Sequence, residues 1–137
     1  MTEHTLDIVG DVLMEKLEAV EKEIELCLRR WAVEARGDAR MDAPRRTGQL
    51  SSSITSKVYR DGHVITAVIG SNLEYAPYNE YGTGDRGSAD YNGHTSDVTF
   101  TAGWPGMDPH PYLRPQIYDK ESEILARVQD AIRKGLE

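Results

Sequence analysis

The stretch LSSSITSKVYRDGHVITAVIG, Leu50 to Gly70, decides the fold class. Leu50, Ser52, Ile54, Ser56 and Val58 alternate with Ser51, Ser53, Thr55 and Lys57, which is the period of a strand. HVITAVIG is rich in β-branched residues, and Arg60-Asp61-Gly62 between the two runs is a turn signal. The stretch therefore predicts a β-hairpin. Serines share one face with the aliphatics and the other face is polar, so one side of this sheet is expected to meet solvent or a neighbouring subunit.

Upstream, the period changes. Leu13, Leu17, Val20, Ile24, Cys27, Trp31 and Ala35 recur at spacings of three and four, one apolar stripe along a long helix. Glu18 stands four residues before Lys22, a favourable order on a helix surface. Gly37 is the first residue able to weaken the helix, and Pro44 ends it if Gly37 does not. Cys27 lies on the stripe and reads as a small buried hydrophobe. As the single cysteine it has no partner for an intramolecular disulfide.

Downstream, Asn72 to Thr95 reads as a long glycine- and tyrosine-rich loop, and DVTFTAG, Asp97 to Gly103, alternates again and can add a strand to the sheet. WPGMDPHPYLRP, Trp104 to Pro115, holds four of the six prolines and cannot be regular helix. From Pro115, a helix-starting proline, Ile117, Ile124, Leu125, Val128, Ile132 and Leu136 trace a second amphipathic helix. The expectation is one α+β domain over residues 1–137: an N-terminal helix (1–42), sheet and loops (43–114), and a C-terminal helix (115–137). Both helices should pack on one face of a small, mainly antiparallel sheet.

Charge narrows the function classes. The formal net charge is −7, and residues 1–42 hold eleven acids against six bases. This argues against a nucleic-acid binder relying on a basic face. No apolar run reaches the roughly 18 residues of a membrane helix, and Met-Thr-Glu-His does not resemble a signal peptide, so a reducing cytoplasm is the expected setting.

Catalytic readings find little to hold. His94, Asp97, Asp108 and His110 are metal-ligand types, but their spacing matches no ligand pattern and exposed loop histidines explain them. No serine sits in a Gly-x-Ser-x-Gly elbow. Glu74 and Glu80 flank YAPYN, where solvated or bridging carboxylates are the simpler reading. GTGDRG lacks the Gly-Lys-Ser/Thr ending of a phosphate loop. No catalytic residue, metal or cofactor is expected. The remaining signal is aromatic: Tyr75, Tyr78, Tyr81 and Tyr91, with Trp104 and Tyr112, suit either a protein interface or the ends of a small core.

Three ordered blocks carry a resemblance. APRRTGQLSSSI (Ala43 to Ile54), YAPYNEYGTG (Tyr75 to Gly84) and PHPYLRPQI (Pro109 to Ile117) resemble the small head-to-tail joining proteins of long-tailed double-stranded DNA bacteriophages, also called neck, tail-completion or minor tail proteins. Arg46 stands at a position where an acid before Thr-Gly is as common in that pattern, and residues 85–108 match no part of it.

The resemblance implies a virion structural protein rather than an enzyme, assembled as a homo-oligomeric ring at the head-tail junction in a neck, tail-completion or tail-terminator role. Its partners would be itself, the neighbouring connector and tail proteins, and DNA passing through the lumen without tight binding, with no membrane. It would reside in the virion, and in the host cytoplasm during assembly. Pro44, Thr47 and Gly48 would form the turn from helix to sheet, beside the motif positions Leu50, Gly82, Pro111, Leu113 and Pro115. Arg114 would anchor the last helix by pairing with a carboxylate such as Glu80.

Tyr75, Tyr78, Glu80, Tyr81, Thr83 and Tyr91 are the expected subunit-interface residues. The tyrosine loop and the serine-striped sheet edge would be the two unlike patches that a closed ring requires. The competing readings are a small metal-dependent enzyme using His94, Asp97, Asp108 and His110, and a monomeric adaptor or inhibitor using the aromatic loop.

Overall fold

The structure, a computed structural model, describes residues 3–44 and 48–137, with side chains from residue 10 onward. Thr47 of the expected helix-to-sheet turn lies outside the described residues. Helix α1 (Glu3–Asp42) is followed by a short helix α2 (Gln49–Ser53), strands β1 (Thr55–Asp61) and β2 (Val64–Gly70) and helix α3 (Ala76–Tyr81). Two short strands, β3 (Asp90–Tyr91) and β4 (His94–Thr95), precede helices α4 (Arg114–Tyr118) and α5 (Glu121–Leu136). The class is α+β, with a long N-terminal and a C-terminal helix packed against a small antiparallel two-stranded sheet, β1-β2.

The residues gather into two compact units, each drawn from separated segments. Among the described residues, the first holds residues 3–33, 57–68 and 121–137. Trp31 and Ala32 of α1 and Ala131 of α5 are buried here. Gly135 lets α5 approach α1 so closely that a Cβ there would stand 2.5 Å from the Val20 Cα. Lys16 donates to the carbonyls of Leu136 (3.3 Å) and Glu137 (3.0 Å), supplying a cation where a helix end leaves carbonyls without partners. Glu21, buried on α1, accepts from Arg60 of β1 and from His63 Nδ1 (2.6 Å) in the hairpin turn. The beginning of the apolar stripe is not core: Val12, Leu13, Met14 and Leu17 are exposed.

The second unit holds residues 34–56 and 69–120. Its core is Ala39, Ala43, Leu50, Ile54, Ala76 and Tyr112, with Ile69, Leu73, Tyr75 and Leu113 packed against it. α1 runs through Gly37 and ends before Pro44, as the proline predicts.

Three expectations are corrected. Residues 49–53 are a helical turn, and β1 begins only at Thr55. Gly48 turns the chain at φ 75°, and the serines bond back along the turn, Ser52 Oγ to the Gly48 carbonyl (2.8 Å) and Ser53 Oγ to the Leu50 carbonyl (2.6 Å). Ser51 Oγ donates to the Arg40 carbonyl (2.8 Å) while Arg40 Nη2 donates to the Ile54 carbonyl (2.7 Å), docking α2 on the end of α1. The serine stripe is therefore not a sheet edge.

Residues 97–103 form no strand, and the sheet has two strands among the described residues. Val98 and Phe100 are half-buried, with the Phe100 ring pressed on the bare Cα of Gly87, so the alternation serves packing rather than pairing. The C-terminal helix is broken at Asp119 and Lys120 into α4 and α5. Lys120 there donates to Asp38 Oδ2 (2.6 Å) and Gln116 Oε1 (3.0 Å).

Candidate functional site

The expected tyrosine loop is an ordered block built around one ion pair in the second unit. α3 places Glu80 in the interior, 2% exposed, where Oε1 accepts the backbone N–H groups of Tyr112 (3.0 Å) and Leu113 (2.6 Å) and Oε2 accepts Arg114 Nε (2.7 Å). Arg114 Nη2 donates to the Glu80 carbonyl (2.6 Å), and the Tyr112 hydroxyl donates to the Ala76 carbonyl (3.0 Å). The guanidinium lies over the ring of Tyr81 (4.3 Å) and toward that of Tyr91 (5.3 Å). That placement accounts for Arg114 Nη1, which is buried without an acceptor. Three donors at the start of α4 are thus tied to one carboxylate in the preceding motif.

Glu80, expected at an interface, is instead spent within the chain, and the pairing expected of Arg114 is present. Pro115 stands in the first turn of α4, where its missing N–H costs nothing.

Glycines let the second and third blocks touch. Gly82 (φ 76°) and Gly84 (φ 62°) face the backbone of residues 104–109, and Gly106 (φ 70°) presses on the backbone of Thr83 and Gly84 with no room for a Cβ. The two segments zip together. Thr83 and Met107 exchange N–H···O bonds of 2.9 and 3.0 Å, Asp85 N–H donates to the Trp104 carbonyl (2.9 Å), Arg86 N–H to that of Pro105 (3.1 Å), and His110 N–H to that of Asn79 (2.6 Å). With those amides engaged, GTGDRG has no free N–H cradle for a phosphate.

Residues 88–103 form an excursion with both ends pinned. β3 and β4 pair antiparallel, Asp90 opposite Thr95 and Tyr91 opposite His94. The excursion is fastened to α4: the Tyr91 hydroxyl donates to Asp119 Oδ2 (2.6 Å), and His94 stacks on Tyr118 (centroids 3.9 Å apart, planes 5° from parallel). Burial first, then the bond to Asp119 and its charge, push the Tyr91 hydroxyl pKa up to about 12. Burial likewise pushes the Tyr112 hydroxyl up.

What remains open is an apolar shelf. Tyr78 (55% exposed) and Trp104 (49% exposed) flank a groove of about 410 Å³, lined also by Pro77, Tyr81, Thr83 and Phe100. Of the expected interface residues, Tyr78, Tyr81 and Thr83 come together here. Tyr75 and Tyr91 are half-buried elsewhere in the block, Tyr75 donating to Gln49 Oε1 (3.3 Å). Sequence reasoning set Trp104 beside the tyrosines but missed Pro77 and Phe100; the proline-rich run that returns to Gly82–Gly84 is the signal that could have found them.

His94, Asp97, Asp108 and His110 are not gathered into a ligand set, and among the described residues no group of three or more metal-ligand side chains converges. No described helix is long and apolar enough to cross a membrane.

Residues 12–82, just over half of the chain, match the family model described as "Bacteriophage HK97-gp10, putative tail-component", and the chain belongs to that HK97-gp10-like family. No curated protein matches the chain, and neither does any solved structure.

Proposed function

We propose that the chain is a virion structural protein that closes into a homo-oligomeric ring at the head-tail junction of a long-tailed phage, in a neck, tail-completion or tail-terminator role. Family membership supports the virion setting. The single observation that carries the contact surface is the groove between Tyr78 and Trp104, two large aromatics left half-exposed on a hydrogen-bonded block. Tyr78, Tyr81, Thr83 and Trp104 form the contact, with Tyr75 and Tyr91 behind it. Unlike patches on successive copies close the ring, and connector and tail proteins stack above and below it. A net charge of −7 suits a lumen through which DNA slides without being held. The chain assembles in the host cytoplasm and ends in the virion.

The test is size-exclusion chromatography with light scattering, and negative-stain imaging, on the wild type and on Tyr78→Ala/Trp104→Ala. Tyr81 is left in place because Arg114 rests on it. The wild type is expected to form a ring, and the double variant to remain smaller with an unchanged urea midpoint. Equal assembly of the two would remove the groove from the interface.

A further inference from the structure

The sheet itself is unfinished. β1 and β2 are seven residues each and pair with one another, and no third strand among the described residues joins either edge. A lone two-stranded sheet is marginal in water, and open edges are normally guarded by charge, proline or a bulge. β2 has none of these guards: Val64-Ile65-Thr66-Ala67-Val68-Ile69-Gly70 carries no charge and no proline. Its burial supplies no protection either: Val64 and Val68 are exposed, and Ile65, Thr66, Ala67, Ile69 and Gly70 are only half-buried. An uncharged run of this kind on an open edge is an aggregation hazard unless a specific strand covers it.

The hairpin turn says which backbone groups are on offer. Gly62 (φ 60°) and His63 form a two-residue loop with glycine in the first place, so Asp61 and Val64 are the bonded pair beside it. Pairing alternates from there, which turns the N–H and C=O groups of Ile65, Ala67 and Ile69 outward on β2, and those of Arg60, Val58 and Ser56 outward on β1.

We infer that the free edge of β2 pairs with the free edge of β1 in a second copy of this chain, so that the hairpins of successive copies run into one continuous sheet. The inference rests on the ring reading and supplies its register. Two features favour this occupant. The edges match in length at seven residues, and β2 brings no charge while β1 brings Lys57, Arg60 and Asp61, so no like charges oppose across the joint. The alternative, β2 against β2 about a two-fold axis, stops at a dimer and leaves both β1 edges open.

The experiment is amide hydrogen exchange on the wild-type chain at concentrations below and above assembly, alongside light scattering of wild type, Ala67→Pro and Val68→Lys. Ala67→Pro removes an outward N–H without touching the bonds inside the hairpin. Val68→Lys puts a charge at an exposed strand position and is the check if the proline variant unfolds. On assembly, the amides of Ile65, Ala67 and Ile69 are expected to exchange at least ~10-fold more slowly, while those of Thr66 and Val68, already paired, change little. Both variants should assemble less well.

A wild-type chain that is monomeric at every concentration overturns the ring reading and this joint with it. A wild-type oligomer whose outward β2 amides stay unprotected, or which both variants leave intact, overturns the joint alone. A dimer that grows no further overturns the β1-to-β2 pairing.

Discussion

Replacing Glu80 with alanine tests the block at its centre. The carboxylate accepts three donors, two of them backbone amides, and faces an arginine that is itself buried. Breaking a buried ion pair by removing one partner costs about 3–5 kcal/mol, chiefly because the remaining charge is stranded. Leaving the Tyr112 and Leu113 amides without acceptors adds about 1–3 kcal/mol each where water cannot reach them. Against this, Arg114 keeps the Glu80 carbonyl and the Tyr81 ring.

The expected loss for Glu80→Ala is about 5 kcal/mol, the low end of that sum and a large part of the roughly 5–15 kcal/mol that holds a domain folded. Glu80→Leu with Arg114→Met removes both charges and should recover about half, since the two amides remain orphaned. Urea unfolding followed by tryptophan fluorescence and circular dichroism reads both variants. A loss below ~1 kcal/mol in the single variant, or a double variant as damaged as the single, would refute the assignment of Glu80 as the tie between α3 and α4.

Glycine substitutions should part in sign. Gly37→Ala, in the interior of α1 with nothing within 4 Å of a new Cβ, should stabilise by about 1 kcal/mol. Gly135→Ala gains the same helix propensity but drives a methyl into the backbone of Val20, where overpacking of about 1–3 kcal/mol wins and the urea midpoint falls. Gly106→Ala combines a positive φ with collision against the Thr83 backbone and should cost at least ~3 kcal/mol, readable as loss of the cooperative transition. The Tyr91 hydroxyl, raised from 10.0 to about 12, titrates first in the unfolded chain, so its contribution is complete below pH 10 and is lost as pH rises toward 12. Urea midpoints across that window should fall less steeply in Tyr91→Phe than in the wild type.

The long elements were legible because their periods repeat: α1 and α5 show apolar residues every three or four positions over several turns, and HVITAVIG is rich in β-branched residues. The Arg114–Glu80 tie was legible from motif position. The short elements were not. In Leu50 to Ser53, three successive serines after a leucine fit a strand, yet serine hydroxyls can equally return to carbonyls three and four residues back, and four residues do not distinguish the periods. α3 is six residues long and begins with Ala76-Pro77; Tyr112 and Arg114, more than thirty residues downstream, hold it through Ala76 and Glu80. The alternation of Asp97 to Gly103 was real, but the partner it sought was the Gly87 backbone rather than another strand. At the aromatic groove the same pattern recurs: an aromatic ring is visible in sequence, but which rings the fold consumes depends on Arg114 lying across Tyr81 while Tyr78 is left outside.

The sequence separation of 34 between Glu80 and Arg114 also sets a clock. At roughly 5–20 residues per second of synthesis, Glu80 is made about 2–7 seconds before the arginine that closes on it. Until then its carboxylate stays hydrated, and Gly82–Gly84 have no return segment to zip against. The Tyr78–Trp104 groove is therefore expected to be absent from unfinished chains and present on finished ones.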